Sequence, residues 1–134
     1  MSNNKHTDIL VIGSGPGGYA AAFRAADLGR EVTLVDKDPT LGGVCLNRGC
    51  IPSKTLLHIA KVLEEAESLK KMGVTFTKPT IDIDLVRDWK NKVVSQLSGG
   101  IDQMAKARKV NTIQAEATFL SDNEVQLKSE SSTE

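Results

Sequence analysis

The chain has 134 residues, enough for one hydrophobic core and too few for two full-sized domains. Seventeen basic residues balance seventeen acidic ones, so no broad electropositive field draws in nucleic acid or an anionic membrane surface, and neither is expected as a partner. No apolar run reaches the ~20 residues a membrane helix needs, and the N-terminus carries neither a hydrophobic signal core nor an arginine-rich presequence, so a cytoplasmic location is expected.

Ile9-Leu10-Val11-Ile12, bounded by Asp8 and Gly13, predicts a central parallel strand buried on both faces. Gly13-Ser14-Gly15-Pro16-Gly17-Gly18 follows, and the alanine-rich segment from Tyr19 to Leu28 predicts a helix able to approach a sheet closely. Glu31 to Val35 reads as a second strand that ends at Asp36. A bare GxGxxG is a weak signal, but strand, glycine turn, helix, strand and acid stand here in the order of a dinucleotide-binding βαβ unit. In such a unit Gly13 allows the tight exit from the strand, Gly15 lets backbone approach a pyrophosphate and Gly18 lets helix pack on strand. Asp36 lies eighteen residues beyond Gly18, near the ~20-residue spacing at which a carboxylate meets a ribose hydroxyl.

The stretch Gly42-Gly43-Val44-Cys45-Leu46-Asn47-Arg48-Gly49-Cys50-Ile51-Pro52-Ser53-Lys54 holds both cysteines, five positions apart. Pro52 suits the first turn of a helix, which puts Cys50 at the positive end of a helix dipole, where thiolate is favoured; Cys45 is expected on the preceding loop. Two thiols so placed can exchange with an external dithiol or disulfide. The competing use of both as small core hydrophobes fits poorly among Gly42, Gly43, Asn47, Arg48 and Gly49. A structural zinc site needs four ligands, and beyond the cysteines only His6 and His58 are on offer, so no metal is expected. Lys54 either steadies a thiolate or reduced cofactor nearby or is a solvated helix lysine. Arg48 has three open readings: pairing with an acid, lowering a cysteine pKa, or facing water.

Leu56, Ile59, Leu63, Ala66 and Leu69 step by three or four up to Gly73, predicting an amphipathic helix. After Asp84 a second series runs through Val86, Trp89, Val93, Leu97, Ile101 and Met104, with Gly99-Gly100 expected to interrupt it. Ile113, Ala115, Ala117 and Phe119 alternate as one strand, Ser121-Asp122-Asn123 turns, and Val125 with Leu127 returns. From Ser129 the chain is polar. A two-stranded ending leaves an edge unpaired, so the chain reads as part of something longer. The expected fold class is α/β: a parallel sheet, helices on its faces and an antiparallel excursion from Ile113 to Leu127.

Taken together, GSGPGG, Asp36-Lys37 and GGVCLNRGCIPSK closely resemble the N-terminal part of the FAD-dependent pyridine nucleotide–disulfide oxidoreductases, and the likeness extends through LLHIAKVLEEAESL and DWKNKVVSQLSGGIDQMAKARKV. The resemblance implies a Rossmann-like FAD-binding domain, incomplete here, with residues 1–134 as its N-terminal part and the NAD-binding and dimer-interface domains lying outside. It implies that Gly13, Gly15 and Gly18 receive the FAD pyrophosphate, that Asp36 holds the adenosine ribose, and that Lys37 and the Ala117 backbone lie at the adenosine. Gly42, Gly43, Val44 and Cys45 would line the flavin side, with Lys54 near the ring. Cys45 would be the interchange thiol and Cys50 the thiol facing the flavin. The implied activity is reoxidation of protein-bound dihydrolipoyl groups through FAD to NAD, with lipoyl domains of 2-oxoacid dehydrogenase complexes as partners and a homodimer in the longer protein. These residues alone are expected not to turn over. A mercuric or glutathione-type relative, and a noncatalytic flavin or nucleotide module, are the alternatives. Asp36 stands where the family more usually has glutamate, and Arg48 where a small apolar residue is common.

Overall fold

A computed structural model describes residues 4–129. The polar segment expected at the C-terminus lies largely outside the described residues. The described residues form, in chain order, β1 (Ile9–Ile12), α1 (Pro16–Asp27), β2 (Val32–Asp36), α2 (Gly43–Arg48), α3 (Cys50–Ser68), α4 (Ile83–Ala107), β3 (Asn111–Gln114), β4 (Glu116–Phe119) and β5 (Val125–Lys128). The architecture is α/β as expected: a parallel sheet in the order β1-β2-β3, flanking helices and a two-stranded antiparallel sheet of β4 and β5.

Among the described residues the central strand is β2, where β1 was expected. Val32, Thr33, Leu34 and Val35 are all buried, whereas Ile9 and Ile12 of β1 are 37% and 46% exposed because β1 is an edge strand. Val32 and Leu34 point to one face and join Ala22 and Phe23 of α1, Leu46 of α2, and Ile101 and Ala105 of α4 in the core. Helix α1 starts at Pro16 rather than Tyr19; proline at the first position loses no hydrogen bond there and its fixed φ suits the helix.

Helix α3 turns its half-buried residues Ile59, Leu63 and Ala66 toward α4, while Leu56 is exposed. A 3-10 turn at Leu69–Met72 follows and ends at Gly73, which takes the left-handed conformation with φ +88°. The following helix is capped by Asp82, whose Oδ1 accepts from the backbone N–H groups of Asp84 and Leu85. It runs unbroken through Gly99 and Gly100, so the expected interruption does not occur. Its inward stripe also differs: Ile101 and Ala105 are buried, while Trp89, Leu97 and Met104 are 42–52% exposed. Among the described residues no helix is long and apolar enough to cross a membrane.

The alternating segment from Ile113 to Phe119 is two strands, not one. Ile113 belongs to β3, parallel to β2, and the chain changes sheets at buried Ala115, whose N–H donates to the Asp36 carbonyl at 2.9 Å. The antiparallel part is therefore confined to β4 and β5.

Candidate functional site

The carboxyl ends of β1 and β2 stand side by side, and the turns that leave them build the site. The β1 turn passes through Gly13 and enters α1 at Gly15, which precedes the helix without any side-chain cap, so its first N–H groups remain available. Gly18 brings α1 against that turn: a Cβ there would stand 1.7 Å from the Gly13 carbonyl oxygen. Around Gly15 and Gly17 a Cβ would meet nothing within 4 Å, so an open face lies over the turn.

Asp36, the last residue of β2, ties the two turns together. Its Oδ2 accepts from the Ser14 N–H at 2.6 Å and Ser14 Oγ at 2.7 Å, and its Oδ1 accepts from the Asp38 N–H at 2.9 Å. Burial alone would raise this carboxyl. The hydrogen bonds from the Ser14 hydroxyl and from the backbone of Asp38, Ser14 and Lys37 together outweigh it and hold the group below its ordinary value. Ser14 is fully buried, so this contact satisfies polar groups that water cannot reach. Gly13, Asp36, Lys37 and Ala117 line one cleft of about 240 Å³ with Ile12, Val35, Ala115 and Glu116. A second, larger cleft of about 470 Å³ lies between the loop at Asp38 to Leu41 and the middle of α4, and sequence reasoning gave no hint of it.

Cys45 and Cys50 form a disulfide, with Cα atoms 4.9 Å apart. Cys45 lies within the short helix α2 and not on a loop, which corrects the expectation; Cys50 opens α3. Cys45 is half-buried and Cys50 exposed. The segment that carries them sits directly on the glycine turn: the Gly42 N–H, just before α2, donates to the Ser14 carbonyl at 3.0 Å. A Cβ at Gly43 would come within 2.7 Å of the Gly15 Cα, and Gly43 has φ +63°, so neither the space nor the backbone admits a side chain. Of Arg48's three readings, the structure shows the first: it pairs with Asp38. Val44 is 65% exposed. Lys54, one turn into α3 from Cys50, is exposed and lines neither cleft.

An open glycine turn at the end of a parallel strand, with a disulfide fastened to it, defines the layout of a nucleotide-linked thiol–disulfide oxidoreductase domain. The model of the family described as pyridine nucleotide-disulphide oxidoreductase matches residues 7–134, and the chain belongs to that family. Among curated relatives it is 51% identical over 130 residues to dihydrolipoyl dehydrogenase of Vibrio cholerae, covering 97% of this chain and 27% of the relative. It is 56% identical over 119 residues to dihydrolipoyl dehydrogenase of Haemophilus influenzae, covering 89% and 25%, and 48% identical over 128 residues to that of Bacillus subtilis, covering 96% and 27%. The chain thus spans about a quarter of the length of these relatives.

Proposed function

We infer that these residues are the N-terminal part of the FAD-binding domain of a dihydrolipoyl dehydrogenase, and that the Cys45–Cys50 pair accepts two electrons from a dihydrolipoyl group. The observation that carries this reading is the disulfide seated on the glycine turn through the Gly42–Ser14 hydrogen bond and the Gly43–Gly15 contact. The turn fits a dinucleotide: the uncapped start of α1 offers N–H groups to phosphates, and the open face at Gly15 and Gly17 leaves room for them. Gly13, Gly15 and Gly18 would form the pyrophosphate seat, Asp36 and Lys37 the ribose and adenosine contacts with the Ala117 backbone, and Gly42, Gly43, Val44, Cys45 and Lys54 the flavin side. Bound FAD would supply the two-electron acceptor between this disulfide and NAD.

Cys45 is assigned as the sulfur attacked. A dihydrolipoyl thiolate forms a bond to Cys45 Sγ and breaks the Cys45–Cys50 bond, expelling Cys50 as thiolate. Cys50 opens α3, where the helix dipole favours the anion, so it is the better leaving group. The second lipoyl thiol, as thiolate, then displaces Cys45. The products are the lipoyl disulfide and a Cys45/Cys50 dithiol.

The partners in this reading are lipoyl domains of 2-oxoacid dehydrogenase complexes, in the cytoplasm, with homodimerisation in the longer protein. The family resemblance also implies a histidine–glutamate pair, outside these residues, that accepts the proton of the incoming dithiol, so the 134 residues alone are proposed not to turn over. The test is thiol counting by alkylation and mass, followed by assay with dihydrolipoamide, FAD and NAD. The chain as purified is expected to show no free thiol, then two after dihydrolipoamide, with no sustained NADH formation. Failure to gain two thiols would overturn the redox assignment, and steady NADH production would overturn the proposed incompleteness.

A further inference from the structure

Arg48 stands between the two cysteines as the last residue of α2, and its guanidinium pairs with the Asp38 carboxylate across the loop that follows β2. Asp38 is itself held, since its N–H donates to Asp36 Oδ1 while Asp36 Oδ2 accepts from Ser14. A continuous set of polar contacts therefore runs from the glycine turn to the segment that the disulfide closes. Building on the dithiol exchange inferred above, we propose that Arg48 is a positioning residue, whose pairing with Asp38 keeps Cys45 and Cys50 adjacent after reduction and so favours reclosure of the disulfide.

The physical reason lies in the dithiol form. Reduction by an external dithiol adds two electrons and two protons to the Cys45–Cys50 bond, oxidises the reductant to its disulfide, and leaves the two thiols joined only through the end of α2, Gly49 and the start of α3. At Gly49 the backbone takes φ −122° and ψ −102°, outside the helical region, so the two helices meet at a joint rather than as one rod. What opposes spreading at that joint is the packing of Leu46 on the N-terminal side, the Asn47 side-chain bond to the Leu41 carbonyl, and the Arg48–Asp38 pair. Removing a restraint on the dithiol form widens its conformational range and lowers the effective concentration of one thiol at the other. The equilibrium then tips toward the dithiol. Exposed pairs of this kind shift an equilibrium by roughly two- to fivefold at most, which for a two-electron couple is about 9 to 21 mV.

The experiment equilibrates the full chain in dithiothreitol redox buffers and reads the dithiol fraction by alkylation and mass, for wild type, Arg48→Ala, Asp38→Asn, the double variant and Arg48→Lys. Arg48→Ala and Asp38→Asn are each expected to favour the dithiol two- to fivefold, the double variant to match either single change, and Arg48→Lys to recover part of the effect. Equal potentials in all variants would overturn the proposal. Shifts of opposite sign would overturn it too, because they would make Arg48 a charge acting on the thiolates directly; so would simple additivity in the double variant. A wild-type chain with no reversible exchange would sink the redox reading itself, whereas normal wild-type exchange with unmoved variants would sink this inference alone.

Discussion

Gly17 and Gly18 are neighbours in sequence and both lie in the first turns of α1, yet alanine at each is expected to move stability in opposite directions. At Gly17 a Cβ meets nothing within 4 Å, so Gly17→Ala only removes backbone freedom from the unfolded chain and improves helix propensity, a gain of about 0.5–1 kcal/mol. At Gly18 the Cβ would stand 1.7 Å from the Gly13 carbonyl oxygen, 2.9 Å from its carbon and 3.6 Å from a Val11 methyl. A carbon–oxygen contact of ordinary length is about 3.3 Å, so the turn and helix must part by about 1.6 Å. The obstacle is backbone at both ends and cannot be relieved by a rotamer. Lifting α1 pulls Ala22 and Phe23, which are 0% and 8% exposed, out of the core. Loss of one such aromatic burial and of the interlocking around it brings the cost to at least about 3 kcal/mol. At roughly 3–5 °C per kcal/mol for a domain of this size, Gly18→Ala should melt at least about 9 °C lower. Urea unfolding followed by far-UV circular dichroism, with thermal melts alongside, measures both variants against wild type. If Gly18→Ala unfolds within about 0.5 kcal/mol of Gly17→Ala, the close approach of α1 to the turn is not what holds the fold.

Two further outcomes follow from the same geometry. The folded-state pKa of Asp36 is depressed, so its contribution to stability is complete above the ordinary carboxyl value of about 3.9 and is lost as pH falls through the lower folded value. Asp36→Asn, which sets an amide against the Ser14 N–H and hydroxyl, is expected to be less stable than wild type by about 1–3 kcal/mol at pH 7 and to converge on it below about pH 4; parallel stability curves would refute the assignment. Gly99→Ala and Gly100→Ala occupy an unbroken helix with nothing within 4 Å of either added Cβ, so each should raise stability by about 0.5–1 kcal/mol in urea titrations, and a loss at either site would show that α4 needs the glycine.

The βαβ unit was legible because its signals are local: an apolar run, glycines at fixed offsets, alanine periodicity and an acid at the end of the second run all lie within residues 9–36. Burial order was not legible, because Ile9–Ile12 is wholly apolar while Val32–Val35 includes Thr33, yet among the described residues β3 lies on the far side of β2 and makes the less apolar segment the central one. Helix α2 escaped notice since its six residues fall short of two turns, too few for a period to declare itself. At Ala115 the alternation continues while the strand changes partners, so the pattern stays intact across a break that hydrogen bonding to Asp36 determines. Gly99-Gly100 misled in the other direction: burial of Ile101 and Ala105 in the core outweighs a local helix penalty of about 1 kcal/mol per glycine. Ser14 as the partner of Asp36 was not legible, since nothing in the spacing of a serine and an acid 22 positions apart marks them as neighbours.

The hydrogen bonding of Asp36 constrains how the proposed ribose contact works. A carboxylate that already accepts from the Ser14 N–H, the Ser14 hydroxyl and the Asp38 N–H is fixed in place and kept charged, so an incoming hydroxyl meets an oriented acceptor and little side-chain ordering remains to be done. The same commitment limits it. Ser14 Oγ is a rotatable donor that can turn to another acceptor, whereas the Ser14 N–H cannot leave Oδ2 without the turn itself moving. A ligand hydroxyl at Asp36 is therefore accommodated beside the backbone bond, at the expense of the serine hydroxyl if either yields. Fixed negative charge at that point also repels a phosphorylated ribose. The residue that anchors the glycine turn is thus the one that would discriminate among nucleotides, and because its neighbour Asp38 holds Arg48, a change that displaces Asp36 reaches the cysteine segment through one intervening residue.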